Sequence, residues 1–168
     1  MMRRLVTPSV EFEVSYRDYI DELADEERYP FTLDLDSDHF PALVAELRRY
    51  SSGIDLPHGL VANTTFWLVE DKEIIGVSNL RHHLTERLMR LGGHIGFGVR
   101  PSARGKGIAK ELLRRTIIEA TRRGMSELVV ICLEVNEASS RVIEANGGLL
   151  ESVYSVDEYD ERLHRYVI

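Results

Sequence analysis

Residues 94–113 read HIGFGVRPSARGKGIAKELL, and this stretch decides the fold. His94 to Val99 alternates as a strand does, Pro101 ends it, and from Gly107 an amphipathic helix is predicted as far as Arg123. Ile108, Leu112, Ile117 and Ala120 mark its apolar stripe. The first N–H groups of a helix lack internal partners and, with the helix dipole, attract an anion. Gly105 and Gly107 let backbone come close to a phosphate, and Arg100, Arg104 and Lys106 add positive charge around it. The stretch therefore predicts a phosphate-binding strand–loop–helix.

Two other nucleotide loops can be compared with it. A Walker A loop needs Ser or Thr after the lysine, and Lys106 is followed by Gly107. A dinucleotide fingerprint needs a third small residue where Lys110 stands, and Lys110 would crowd the helix against the strand. Glu134, at the end of the next apolar strand, is the one feature that suits ribose binding. The run of strands before the loop is unlike a fold that opens with its dinucleotide site.

Working outward, strands are predicted at 3–8, 64–69, 73–82 and 94–99, then 127–133, about 149–156 and 162–168. Helices are predicted from Ser15 to Arg28, stopped by Pro30, and from Asp38 as cap to about Tyr50, with Pro41 in the first turn. A short helix covers 85–91, and Asn136 caps another from Glu137 to Ala145. The order implies one α/β domain over 1–168, with a mixed, mostly antiparallel sheet and helices on both faces. The phosphate loop then joins the fourth strand to the third long helix.

Composition is that of a globular chain, 43% apolar and 29% charged. No apolar run is long enough to span a membrane, and the first residues lack a secretory core. The single Cys132 excludes an internal disulfide, suits a reducing cytoplasm and reads as a core residue. A net charge of −7 argues against nucleic acid as partner. That charge is uneven: residues 11–38 carry eleven acidic and two basic side chains, and 100–123 carry eight basic and two acidic. The basic segment fits a local anion site, or else both are solvated helix faces.

RGKGIA, through Arg104, Gly107 and Ala109, resembles the loop of the GNAT acyltransferase superfamily. NEASSRVIEANGG, 136–148, resembles its second signature, in the pattern of members related to the ribosomal-protein-alanine acetyltransferases. The stretch from Arg81 to Gly107 and the ending RYVI are similar to bacterial acetyltransferases of unassigned substrate. The resemblance covers 60–168 well and the first 60 residues loosely. It implies an N-acetyltransferase that moves acetyl from acetyl-coenzyme A, as co-substrate, directly to an amine in a ternary complex. It implies that Phe97, Gly98 and Val99 hold the pantetheine arm. The amides of Arg104, Gly105, Lys106, Gly107, Ile108 and Ala109 would hold the pyrophosphate, and Asn136 would reach the pantetheine or thioester. Many members carry a Tyr acid seven residues after that Asn; here Ile143 stands there. Ser139 matches a serine of the ribosomal-protein type and is expected to donate to the thioester sulfur.

Transfer to an amine needs the neutral amine, so a base is expected. His94, in the slot where related strands carry Glu, is the candidate; His82 and His83 on the next strand, Glu134 and Tyr154 are others. No metal is expected, because His82, His83 and His94 have no ligand spacing. The acceptor is a small-molecule or peptide amine, which Asp34, Asp36 and Asp38 could attract. A homodimer is compatible with all of this. The alternative to an enzyme is a non-catalytic acetyl-coenzyme A sensor of the same fold, for which the Tyr-to-Ile143 change speaks.

Overall fold

The computed structural model describes residues 2–168. Its strands are β1 (Arg3–Val6), β2 (Asn63–Glu70), β3 (Glu73–Arg81), β4 (Ile95–Val99), β5 (Val129–Leu133), β6 (Leu149–Tyr154) and β7 (Leu163–Val167). Its helices are α1 (Glu13–Leu23), α2 (Phe40–Ser52), α3 (Glu86–Leu91), α4 (Ile108–Arg122) and α5 (Glu137–Ala145). The predicted order holds throughout, and the phosphate loop joins β4 to α4, the third long helix.

Alternation along β2 and β3 builds two cores. Trp67, Val69, Ile74 and Val77 face α1 and α2. Trp67 is fully buried, with the rings of Phe12, Tyr16 and Phe40 at 6.1, 5.7 and 6.2 Å. On the other face Phe66, Leu68, Ile75 and Leu80 meet Ile108, Leu112, Leu113 and Ala120 of α4. Thr116, buried in that interface, bonds Ser78 at 2.7 Å and its own Leu112 carbonyl at 2.8 Å, so its hydroxyl is satisfied. The helices cover both faces, as the patterning requires.

Every ladder is antiparallel, and the sheet is in two parts: β1-β2-β3-β4 and β5-β7-β6. They touch where Gly93 bridges Val130 and the His94 amide donates to the Val129 carbonyl at 2.7 Å. Beyond this point β4 stays with β3, and β5 with β7. The gap between them is the cleft of the molecule.

The strands β1, β5 and β6 are each two residues shorter than expected, and two helix boundaries differ in ways that shape the site. α1 ends at Leu23, five residues before Arg28, because Ala24 turns out of the helix at φ +48°. The residues that follow leave the helix and run to β4. The cap of α2 is His39, whose Nδ1 accepts the Ala42 amide at 3.3 Å; Asp38 lies one residue too early.

Candidate active site

The loop after β4 forms an anion cradle from backbone alone. Gly105 and Gly107 both sit at φ +74°, a left-handed conformation that glycine tolerates. The Arg104 amide donates to the Pro101 carbonyl at 3.2 Å, and the Glu111 amide to Gly107 at 3.2 Å. Between them, the amides of Gly105 through Lys110 have no acceptor among the described residues. The predicted set thus begins at Gly105, since the Arg104 amide is already used.

The basic side chains behave differently from expectation. Arg100 is buried and bonds Glu22 at 2.7 Å, so it does not face the loop. Arg104 pairs with Glu26 at 2.7 Å and donates to the Val99 carbonyl at 3.1 Å. Lys106 donates to the Ser102 carbonyl at 3.1 Å and points off the cleft wall. Two of the eight basic side chains of 100–123, Arg100 and Arg104, are thus paired with acids of 11–38. What the cleft offers a phosphate is the row of amides, with the Lys110 side chain on the same wall.

Above the cradle lies a cleft of about 580 Å³ lined by Phe97, Gly98, Val99, Gly107, Asn136 and Ser139, among others. Asn136 caps α5, its Oδ1 accepting the Ser139 amide at 3.1 Å, which leaves its own NH2 group to donate. Phe97, Asn136 and Ser139 also line a smaller cavity of about 230 Å³ between β4 and β5. Its remaining wall includes Glu27, Tyr29, Cys132 and Tyr159. Glu27, Tyr29 and Tyr159 continue into a third space of about 720 Å³, with Glu26, Asp34 and Arg81. The middle cavity shares wall residues with each of the other two, so the three spaces adjoin in sequence along the split sheet as a passage.

Tyr29 reaches this passage by crossing β4. A Cβ on Gly96 would stand 2.8 Å from the Tyr29 hydroxyl, and one on Gly98 2.3 Å from its carbonyl. No side chain fits at either place, so the alternation G-F-G in β4 is what admits this segment. Tyr29 is 45% exposed as a whole, but its hydroxyl end lies against Gly96, and burial there raises it above the ordinary phenol range, so it stays protonated at neutral pH.

His94 is not placed as a base. Its Nδ1 accepts the Val129 amide at 2.9 Å, so the neutral ring carries its proton on Nε2 and has no lone pair left. Burial, with Arg81 and Arg165 nearby, lowers its affinity for a further proton. It joins β4 to β5 and lies outside the cavity wall. His82 bonds Thr64 at 2.8 Å, Glu134 pairs with Arg162 at 2.6 Å, and Tyr154 donates to the Arg90 carbonyl at 2.6 Å.

Ile143 is fully buried in the core beneath α4, so the position of the usual Tyr does not face the cleft here. Cys132, read as core, is half-buried on the cavity wall, 3.5 Å from the Ser140 hydroxyl. Burial pushes its thiol up, away from the thiolate that a covalent route requires. Sequence reasoning passed over Glu27, Tyr29 and Tyr159. The two glycines of β4 were the available sign that something packs across that strand.

The acetyltransferase (GNAT) domain family matches residues 16–148. No curated protein matches the chain. Among solved structures it is similar to RimL, a ribosomal L7/L12 α-N-protein acetyltransferase in complex with coenzyme A. Identity is 15%, coverage 100% of this chain and 94% of that one, and TM-score 0.72. It is similar to the ribosomal-protein-S5-alanine acetyltransferase of Vibrio fischeri, with 14% identity, 100% and 93% coverage and TM-score 0.73. It is also similar to the spermidine/spermine N-acetyltransferase SpeG of Vibrio cholerae, with 15% identity, 99% and 94% coverage and TM-score 0.64. These identities speak for the fold; the family match spans most of the chain. With its partnerless amides and open cleft, the chain belongs to the GNAT family of acetyltransferases, acyltransferases with acetyl-coenzyme A as co-substrate.

Proposed function

We propose that the protein is an N-acetyltransferase that passes acetyl from acetyl-coenzyme A directly to a cationic amine. The observation that carries this reading is the passage itself. One end offers the Gly105–Lys110 amides, the other the carboxylates Glu27 and Asp34 beside Arg28 and Arg81, and the narrow middle lies between them. A donor pyrophosphate and an acceptor amine each find polar partners at separate ends, amides for the one and the Glu27 and Asp34 carboxylates for the other, so both can be bound at once.

The chain's own residues divide the work accordingly. The loop amides bind pyrophosphate, and the edge of β4 at Phe97 to Val99 aligns the pantetheine arm beside the Asn136 NH2 group. The Ser139 hydroxyl donates toward the sulfur as the carbon–sulfur bond breaks. Tyr29 and Tyr159 line the acceptor mouth, where an aromatic ring attracts an ammonium over its face by about 0.5–2 kcal/mol. RimL and SpeG are named for a protein N-terminus and for polyamines respectively, and both are amines. The sensor reading keeps its one supporting feature, since Ile143 fills core and supplies no acid to the cleft.

The test is release of free thiol from acetyl-coenzyme A with a panel of peptide N-termini, polyamines and amino acids. Amine-dependent thiol release is expected for at least one class. Coenzyme A binding without release in any of them would return the sensor reading.

A further inference from the structure

Glu27 and Asp34 are the acids of the mouth without an ion pair among the described residues, and of the two only Glu27 also lines the cavity between β4 and β5. Glu22 and Glu26 give their carboxylates to Arg100 and Arg104. Glu27 makes no ion pair and no side-chain hydrogen bond among the described residues. It lines both the acceptor mouth and the cavity between β4 and β5, and in that cavity it is the sole carboxylate. No histidine lines it. The other titratable groups on its wall are Tyr29, Tyr159 and Cys132; burial raises the Tyr29 hydroxyl and the Cys132 thiol. The early end of α1 brings Glu27 there: as a continued helix, 24–28 would not cross to β4.

We infer that Glu27 is the general base that deprotonates the acceptor amine inside the passage between β4 and β5. This rests on the N-acetyltransferase reading above. The acceptor enters as R–NH3+, since primary amines are mostly protonated near pH 7. The Glu27 carboxylate takes one proton, and the freed lone pair forms the carbon–nitrogen bond at the thioester carbonyl. The carbon–sulfur bond breaks with its electron pair on sulfur. The second proton of the nitrogen passes to the thiolate through the Ser139 hydroxyl. Glu27 then returns its proton to water at the mouth. The products are the acetamide, free coenzyme A and one proton. The charged and titratable groups around Glu27 are Glu26, Arg28, Asp34 and Arg81 at the mouth, with Tyr29, Tyr159 and Cys132 inside.

The experiment compares wild type with Glu27→Gln and Glu27→Asp, using the best amine from the thiol-release panel. Glu27→Gln keeps the size and removes the proton acceptor. Its kcat should fall about 10²–10⁴-fold near pH 7, with coenzyme A affinity and melting temperature retained. The deficit should shrink as pH rises toward the acceptor's own pKa, because neutral amine then arrives unaided. Glu27→Asp should recover part of the rate, and formate should rescue Glu27→Ala. A rise in acceptor KM with kcat unchanged would overturn the inference, leaving Glu27 as an electrostatic attractor. A deficit constant across pH and deaf to formate would also overturn it. If wild type releases no thiol with any amine, the N-acetyltransferase reading fails and this inference with it. If wild type turns over and Glu27→Gln matches it, the base assignment alone fails.

Discussion

The two ends of the passage are built in opposite ways. The proposed cofactor end is one short run of backbone, Phe97 to Lys110, completed by the cap of α5. It offers amides without acceptors and the Lys110 side chain, while Arg100 and Arg104 are paired with Glu22 and Glu26. The acceptor end is made of side chains from separate segments, Glu26 to Leu35, Arg81, Leu91 and Gly92, and Tyr159. A site of backbone amides tolerates side-chain change and fails when its dihedrals fail. A site of converging side chains fails when the segments that carry them move.

The largest effect is therefore expected from Gly107→Val. A β-branched residue at φ +74° is strained, and its methyl groups would face the phosphate. Coenzyme A at 100 times its dissociation constant should stabilise wild type by about 2.7 kcal/mol and the variant by almost nothing. Thermal shift reads this directly; equal shifts would break the contrast, because the cradle would not be the binding end.

His94→Ala tests the hinge between the two ends. Losing the Nδ1 acceptor leaves the Val129 amide without its partner, which costs about 1–3 kcal/mol. Turnover per folded molecule should stay within a few-fold of wild type, and a 10²-fold loss would restore His94 as a base. The pH dependence has a definite sign. His82 and His94 both titrate below their ordinary value near 6.5, so the unfolded chain binds protons first as pH falls. Stability should decline from about pH 6.5 downward and be flat above it for these groups. Denaturant midpoints should show a shallower decline in His94→Ala.

The smallest effect is expected from Lys106→Glu. If the cradle acts through amides, this side chain contributes only a screened surface charge, about 1 kcal/mol or less. Coenzyme A affinity should drop no more than about fivefold and the drop should fade with added salt. A salt-independent loss of 100-fold would show that the cofactor end depends on side chains after all.

The sequence was most legible where structure is local. Strand alternation, the period of α4, the caps at Asn136 and the two loop glycines all act within a few residues, and each was found where expected. The candidate cofactor residues lie on these local elements, and the cleft lined by Phe97, Gly98, Val99, Gly107 and Asn136 is what the proposal builds on. The early stop of α1 is not legible because Pro30 is the visible breaker, whereas the turn at Ala24 lies between Glu22 and Glu26, both tied to the β4–α4 segment.

By itself, then, the sequence determined the element order, the two-faced packing and the backbone cradle, since hydrogen-bonding periodicity and left-handed φ values are written residue by residue. Tertiary structure decided the rest. Whether β4 and β5 pair along their length or part after one bridge depends on which partner each strand finds. Whether Arg100 faces a phosphate or Glu22, 78 residues away, depends on a contact that no local pattern encodes. The acceptor end exists only because Glu27, Tyr29, Arg81 and Tyr159 are carried together by separate segments of the fold. Their convergence is a property of packing, which sets distances between residues that sequence spacing leaves free.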